Sequence, residues 1–516
     1  MTVSDHVARH ARRSGDVVAV GYDTVRRTYR ELDERVSRLA NALEARGVAC
    51  GDRVALLSYN TLEVVETYLA CARLGAITVP VNFRLVADEV AYVLENSTPA
   101  AVVVHGPLVP VMVRARETSG NKAPCLVVDG ELEGAEAYDD ALAAAAPECA
   151  DHGVSLSDRA VIMYTSGTTG RPKGAVLTHY HLIIHAYTFM LHAGMPREDR
   201  VFLSVMPMFH IGGLMSMLPM LLIGGTNLML AHGSFDPAAV VDMIEQERIT
   251  SCVMVPTQMQ AICEVPGIEN RDLSSLKRIG WGAAPATTHL LKLLSEVLPT
   301  VQIESTFGQT EAGPIATMLL GDDQLRKLGS VGTPMLNVRA RVVDDDMNDV
   351  VQGEIGEIVY QSPMVMKEYW NNPEATREAF RGGWFHSGDL VRQDEDGYFY
   401  VVDRKKDMII SGGENIHCAE VENVIAGHPK VADVALIGVP DARWGETPLA
   451  VVIPRNAGSP PTVEELTEWC TERLARYKRP KHIAFVTMLP RNPSGKVLKN
   501  QLRVDREAGR IPMLPA

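Results

Sequence analysis

The chain has 516 residues, more than one hydrophobic core usually serves, so at least two domains are expected. Hydrophobic residues make up 46% and charged residues 22%, the profile of an ordinary globular enzyme. The 64 acidic residues outnumber the 50 basic ones, and a net charge of −14 argues against a nucleic-acid binder, which needs a basic face.

In chain order, the first ten residues hold no apolar run of the signal-peptide kind. The apolar stretch Arg53-Val-Ala-Leu-Leu-Ser58 reads as a buried strand. A helical pattern over Thr61–Leu74 follows, with Gly75 where a C-cap belongs. Ala101-Val-Val-Val104 and Ala160-Val-Ile-Met-Tyr164 read as further buried strands, and the alanine-rich Ala141–Ala146 region as a surface helix. From Ile211 to Leu230 no residue is charged, long enough to raise the question of a membrane span. Pro219 and the pairs Gly212-Gly213 and Gly224-Gly225 instead indicate a buried helix followed by a core strand. Near residue 400 the character changes. Beyond the charged segment Asp403-Arg-Lys-Lys-Asp407 lies a compact unit with its own apolar strands, Val434–Gly438 and Leu449–Ile453. Strand–helix alternation predicts parallel sheets covered by helices. The eight cysteines form no CxxC pair, so neither a zinc site nor a redox dithiol is indicated, and reduced thiols of a cytoplasmic protein are expected.

Chemistry concentrates in a few segments. In Tyr164-Thr-Ser-Gly-Thr-Thr-Gly-Arg-Pro-Lys-Gly174, residues Thr165, Ser166, Gly167, Thr168, Thr169 and Gly170 offer backbone N–H groups and hydroxyls to a phosphate chain, and Lys173 adds charge. It is not a Walker A loop, because Pro172 stands where that pattern needs its second glycine. These eleven residues resemble the phosphate-binding loop of the adenylate-forming superfamily, which includes acyl-CoA synthetases, luciferases and peptide-synthetase adenylation domains. Five further segments resemble that family's motifs in the family's order: Gly282-Ala-Ala-Pro285, Glu304-Ser-Thr-Phe-Gly-Gln-Thr-Glu311, Trp384-Phe-His-Ser-Gly-Asp-Leu390, Asp403–Asn415 and Leu489-Pro-Arg-Asn-Pro-Ser-Gly-Lys496.

The resemblance implies an α/β adenylate-forming fold. A large N-terminal domain of helix-covered sheets would span residues 1–403, a hinge 404–406, and a small mobile α+β domain 407–516. It also implies site roles. Thr310 would contact the α-phosphate and Glu311 would hold Mg2+, a hard cation that favours carboxylate oxygen. Phe307 and Gly308 on one side, and Gly282, Ala283 and Ala284 on the other, would enclose adenine. Asp389 and Arg404 would meet the ribose, and Lys406 would be the pivot. Lys496 would offset the repulsion between a carboxylate and an anionic α-phosphate. Gly412 and Gly413, with Trp444, Tyr477, Arg479 and Lys481, would face coenzyme A.

Met206-Pro-Met-Phe-His-Ile-Gly-Gly-Leu214 narrows the acid. Where amino-acid-activating members place an aspartate, this chain has His210, so a substrate ammonium would stay unpaired. Met208, Phe209, Ile211, Gly212 and Gly213 would form the acyl pocket. The surrounding methionines lean toward a flexible aliphatic chain of medium or long length, and the overall likeness is to fatty-acid–CoA ligases of actinobacteria. An aryl acid of cinnamate or benzoate type stays open, as does an acyl-AMP ligase that loads a carrier protein. The expected reaction joins a carboxylic acid to CoA with ATP and Mg2+. No nucleic-acid partner and no transmembrane segment are expected, while peripheral membrane contact and a homodimer stay open.

Overall fold

The computed structural model describes every residue except 166–170, 197–199, 232, 234, 283–285, 322, 406, 412–413 and 492–496, and the side chain of Pro515. By internal packing the chain forms two compact units, residues 1–340 with 360–385, and 341–359 with 386–516.

The first unit holds two large sheets. In the nine-stranded one, Gln302–Phe307, Arg278–Gly282, Ser251–Val253, Val201–Ser204, Thr226–Met229 and Val18–Tyr22 run parallel as neighbours, with antiparallel strands at both edges. In the eight-stranded one, Ile77–Pro80, Arg53–Leu57, Ala101–His105 and Cys125–Val128 are parallel, and the hairpin Arg159–Thr165/Lys173–Thr178 closes one side. Near-continuous apolar runs suit strands covered on both faces, and Val102, Val103 and Val104 are fully buried accordingly. Helices supply the cover. Leu62–Leu74 ends on Gly75 at φ 77°, a left-handed C-cap where a side chain would be strained. The uncharged stretch from 211 folds as the helix Ile211–Ile223 and the strand Thr226–Met229. Among the described residues no helix is long and apolar enough to cross a membrane.

In the second unit, the strands Val431–Asp441, Gly445–Pro454 and His482–Phe485 form the centre of a six-stranded sheet. Strand alternation sends Val434, Leu436, Ala450 and Val452 to one face, under the helices Cys418–Ala426 and Val463–Arg473. Ala435, Ile437, Leu449 and Val451 go to the other, with Leu502 of the helix Lys499–Glu507. Each fully buried Leu or Ile stabilises this unit by ~2 kcal/mol. A smaller four-stranded sheet (Arg339–Val343, Ile355–Gln361, Phe385–Gln393, Phe399–Arg404) belongs mainly to the same unit. Six of the eight cysteines are buried, and none is bonded to another.

Candidate active site

In the first unit, three strands end where the motif residues begin. Thr165 closes Arg159–Thr165 and pairs with Lys173, so the segment expected to bind phosphate joins the two strands of a hairpin. Gly282 ends its strand opposite Thr306, and Phe307 ends the next. The carboxyl ends of parallel strands are where α/β sheets place ligands. A side chain at Gly282 would meet Thr306 Oγ1 at 2.7 Å, and one at Gly308 would strike the Pro314 carbonyl at 2.2 Å. Both glycines therefore let backbone pass close to backbone.

Just beyond, the short 3-10 turn Thr310–Ala312 buries Thr310 and Glu311. Thr165 Oγ1–H donates to Glu311 Oε1 at 2.9 Å, and Tyr369 Oη–H donates to the same oxygen at 3.1 Å. Glu311 makes no ion pair and no hydrogen bond at Oε2 among the described residues. Lys173 Nζ stands 5.1 Å from the centre of the Tyr369 ring, within cation–π range. Burial, and then the neighbouring Glu311, push the Tyr369 hydroxyl pKa well above its ordinary value, so it stays a donor. Tyr369 was invisible to motif reading. Its only signal was an aromatic residue just before the turn Asn371-Asn372-Pro373, which precedes the helix Pro373–Ala379.

No three His, Cys, Asp or Glu side chains gather as a metal cage among the described residues. A single buried carboxylate with one unengaged oxygen fits a magnesium ion whose remaining ligands are nucleotide phosphates and water.

The acyl-side residues divide. His210 is the N-cap of the helix Ile211–Ile223, and its Nδ1 accepts the Gly212 N–H at 3.2 Å. That bond places the ring proton on Nε2, and burial lowers the His210 pKa, so the ring is a neutral donor at Nε2. Phe209 is half-buried and meets Phe83 edge-on, ring centres 4.9 Å apart. A side chain added at Gly212 would meet only the His210 ring, at 3.4 Å. Gly213 is different, because a Cβ there would strike the Pro207 carbonyl at 2.2 Å. Its smallness serves the close packing of the helix start on the preceding loop. Met208, Ile211, Met215, Met217 and Met220 are each buried, 1–3% exposed.

In the second unit, Asp389 is buried and its Oδ1 lies 2.5 Å from Arg404 Nε, on adjacent strands where the two residues are direct partners. Asp403 accepts the backbone N–H of Arg404 at 2.7 Å and that of Cys418, the first residue of the following helix. Ser411 and Glu414, which flank positions 412 and 413, pair with each other, and Ser411 lies opposite Gly445, next to Trp444. The strand Glu414–Ile416 touches the turn Arg476–Lys478. Trp444 and Tyr477 are 42% and 41% exposed, with Arg443 4.7 Å from the centre of the Trp444 ring and Lys478 5.7 Å from that of Tyr477. Lys481 is exposed as well. The Arg479 guanidinium donates to the carbonyls of Leu474 at 3.0 Å and Thr471 at 3.1 Å at the end of the helix Val463–Arg473. Ser166, Gly167, Thr168, Thr169, Gly170, Ala283, Ala284, Lys406, Gly412, Gly413 and Lys496 lie outside the described residues.

The model of the AMP-binding enzyme family matches residues 7–370, and that of the AMP-binding enzyme C-terminal domain matches 420–496. The chain belongs to the AMP-binding enzyme family, among its ATP-dependent acid–CoA ligases. It is 44% identical to a feruloyl-CoA synthase from Amycolatopsis sp over 96% of this chain and 97% of that protein. It is 38% identical to the long-chain-fatty-acid–CoA ligase FadD13 of Mycobacterium tuberculosis, over 97% and 96%. Among solved structures, the o-succinylbenzoate coenzyme A synthetase of Bacillus subtilis in complex with ATP and magnesium superimposes with a TM-score of 0.85 at 31% identity, covering 96% of this chain and 99% of that one. ATP and CoA are the co-substrates of this ligase.

Proposed function

We propose that this ligase activates an aryl or arylalkenoic acid of the cinnamate type. The observation that carries this reading is the difference between Gly212 and the methionines near it in sequence: a side chain at Gly212 would meet only the His210 ring, whereas Met208, Met215 and Met217 are buried. A flat ring against the imidazole suits that opening. A flexible alkyl chain would need the space the buried methionines fill. The 44% identity to a feruloyl-CoA synthase supports the same reading. The second reading, a medium- or long-chain fatty acid, is favoured by the 38% identity to FadD13.

In the first step, Glu311 holds the cation that accompanies ATP, and Thr310 meets the α-phosphate. The loop from Thr165 to Lys173 cradles the outer phosphates. Phe307 and Gly308, with the segment Gly282–Ala284, enclose adenine, and Asp389 with Arg404 takes the ribose. Magnesium, when bound, neutralises phosphate charge. Lys496 draws the acid carboxylate to the α-phosphorus, pyrophosphate leaves, and acyl-AMP remains. The part from 407 onward then turns about 404–406 relative to residues 1–403, withdraws Lys496 and presents Gly412, Gly413, Trp444, Tyr477 and Lys481 to CoA, whose thiolate displaces AMP. Arg479 supports this face by holding the end of its helix.

A pyrophosphate-release screen across cinnamic, benzoic and C6–C18 fatty acids, followed by thioester detection with free CoA, tests the reading. The expected result is the highest kcat/KM for a hydroxycinnamate, and a fatty acid leading the series would overturn it. Acyl-AMP formed without CoA thioester would instead indicate transfer to a carrier protein.

A further inference from the structure

We propose that Tyr369 is a positioning residue for the magnesium-bearing carboxylate, fixing Glu311 through Oε1 so that Oε2 is kept for the cation. The inference rests on the assignment of Glu311 to magnesium and extends it to a residue outside the motifs.

Two hydroxyl donors converge on Glu311 Oε1, Thr165 at 2.9 Å and Tyr369 at 3.1 Å, from strands far apart in sequence. A carboxylate with both donors on one oxygen has a fixed plane and a fixed open lone pair, which is what an octahedral cation demands of its ligand. Tyr369 is itself held. Its strand Glu368–Tyr369 pairs with Ala175 and Val176 in the hairpin that carries the phosphate loop. The neighbouring Glu368 is clamped by Arg159 at 2.7 Å, and the indole N–H of Trp370 donates to the Asn96 carbonyl at 3.1 Å. The backbone of Glu311 is tied to the same segment, since its carbonyl accepts the Met366 N–H at 2.8 Å. Lys173 over the Tyr369 ring links the loop's cation to the same group. The phenol therefore connects the phosphate loop and the metal carboxylate, so both are placed by one rigid side chain. A carboxylate oxygen that accepts from two neutral hydroxyls meets no cation of the protein's own there, whereas a lysine or arginine in the place of Tyr369 would compete with the metal.

The test compares the full-length enzyme with Tyr369→Phe, Thr165→Val and Glu311→Gln. Mn2+ binding is followed by electron paramagnetic resonance in the presence of a non-hydrolysable ATP analogue, and pyrophosphate release is titrated with Mg2+. Losing an outer-shell partner typically weakens metal affinity ~10–100-fold. Tyr369→Phe is expected at the low end, about tenfold weaker Mn2+ binding, with a matching rise in the Mg2+ midpoint. The KM for the acid should stay put, and the rate should largely recover at saturating Mg2+. A merely structural role would lower the melting temperature and the rate without moving the metal midpoint. Binding is read below each variant's melting onset, so a less stable variant still reports. If Glu311→Gln shifts the midpoint and Tyr369→Phe does not, the positioning role is wrong and the metal assignment stands. If neither shifts it, the assignment of Glu311 falls too.

Discussion

Two buried carboxylates, one in each unit, are handled in opposite ways. Glu311 receives two neutral hydroxyls and pairs with no cation among the described residues. Asp389 faces the Arg404 guanidinium at 2.5 Å from the adjacent strand. A buried negative charge without a cationic partner is costly, which accords with the proposal that a cation reaches Glu311 from outside. A carboxylate already neutralised by its own arginine suits an uncharged ligand such as a vicinal diol, which offers O–H donors and no charge. The chemistry assigned to each thus follows from its local charge balance.

The largest effect belongs to a charge outside both pairs. Lys496→Ala should lower the rate of adenylate formation ~10²–10³-fold, about 3–4 kcal/mol of transition-state stabilisation. Thioester formation from supplied acyl-AMP should stay within about twofold of the parent. Single-turnover measurements of the two half-reactions separate these outcomes. Equal losses in both would mean that charge neutralisation at the α-phosphate is not what this lysine does, and the contrast between a metal-served and a lysine-served anion would lose its second half.

Arg404→Met asks whether Asp389 depends on its partner. Removing one member of a buried pair strands the other, and with Arg404 partly solvent-exposed the loss should be about 2–3 kcal/mol. The double variant Arg404→Met/Asp389→Asn should recover most of it in a denaturant melt. No recovery would show that packing of the arginine stem, not charge, holds the strand pair.

Much of this arrangement was legible before any fold was known. Buried strands such as Ala101–His105 announce themselves as unbroken apolar runs, and Gly75 marks its helix end because a left-handed cap admits little else. The uncharged stretch from 211 resolves into helix and strand because two glycines interrupt it. What stayed hidden depends on through-space pairing. Nothing local marks Tyr369 as a neighbour of Glu311, 58 positions away in sequence. Gly212 and Gly213 look equivalent in a sequence, yet one opens space and the other avoids a carbonyl. The methionine-rich segment is ambiguous for the same reason, since composition cannot distinguish a packed methionine from one that lines a pocket.

Asp403 extends the comparison to a carboxylate between the two extremes. It accepts two backbone N–H groups, from Arg404 and Cys418, and Lys499 lies nearby while pairing with Glu422 at 2.8 Å. Burial raises its pKa to about 6, against the pull of Lys499 and those two N–H groups. The folded carboxyl therefore holds its proton more tightly than the unfolded chain does. Its contribution to stability is full below pH ~4 and is lost as pH rises through about 6. Unfolding free energies of the parent and Asp403→Asn, measured by denaturant melts from pH 4 to 7.5, should diverge by on the order of 2 kcal/mol, the parent losing ground as pH rises. Parallel curves would mean that the backbone donors fully compensate burial.

The smallest and sharpest effect comes from Glu311→Gln, because it should change sign with ligand. Without nucleotide, the substitution removes an uncompensated buried charge and keeps an oxygen to accept the Thr165 and Tyr369 hydroxyls. The apo protein should therefore melt no lower than the parent, and by the cost of an unpaired charge up to about 1 kcal/mol higher. With magnesium and ATP the order should reverse. A ligand at 100 times its dissociation constant stabilises by ~2.7 kcal/mol, and a tenfold weaker site gains only ~1.4 at the same concentration. The parent should thus gain ~1.3 kcal/mol more than the variant on adding the complex. ATP with EDTA should erase that difference, since the carboxylate then has no cation to hold. The Asp389 pair supplies the comparison without ligand: Asp389→Asn, which leaves Arg404 unpaired, should lower the apo melt. If Glu311→Gln destabilises the apo protein as Asp389→Asn does, the two carboxylates are alike in charge balance, and the case for an incoming cation at Glu311 fails on stability grounds alone.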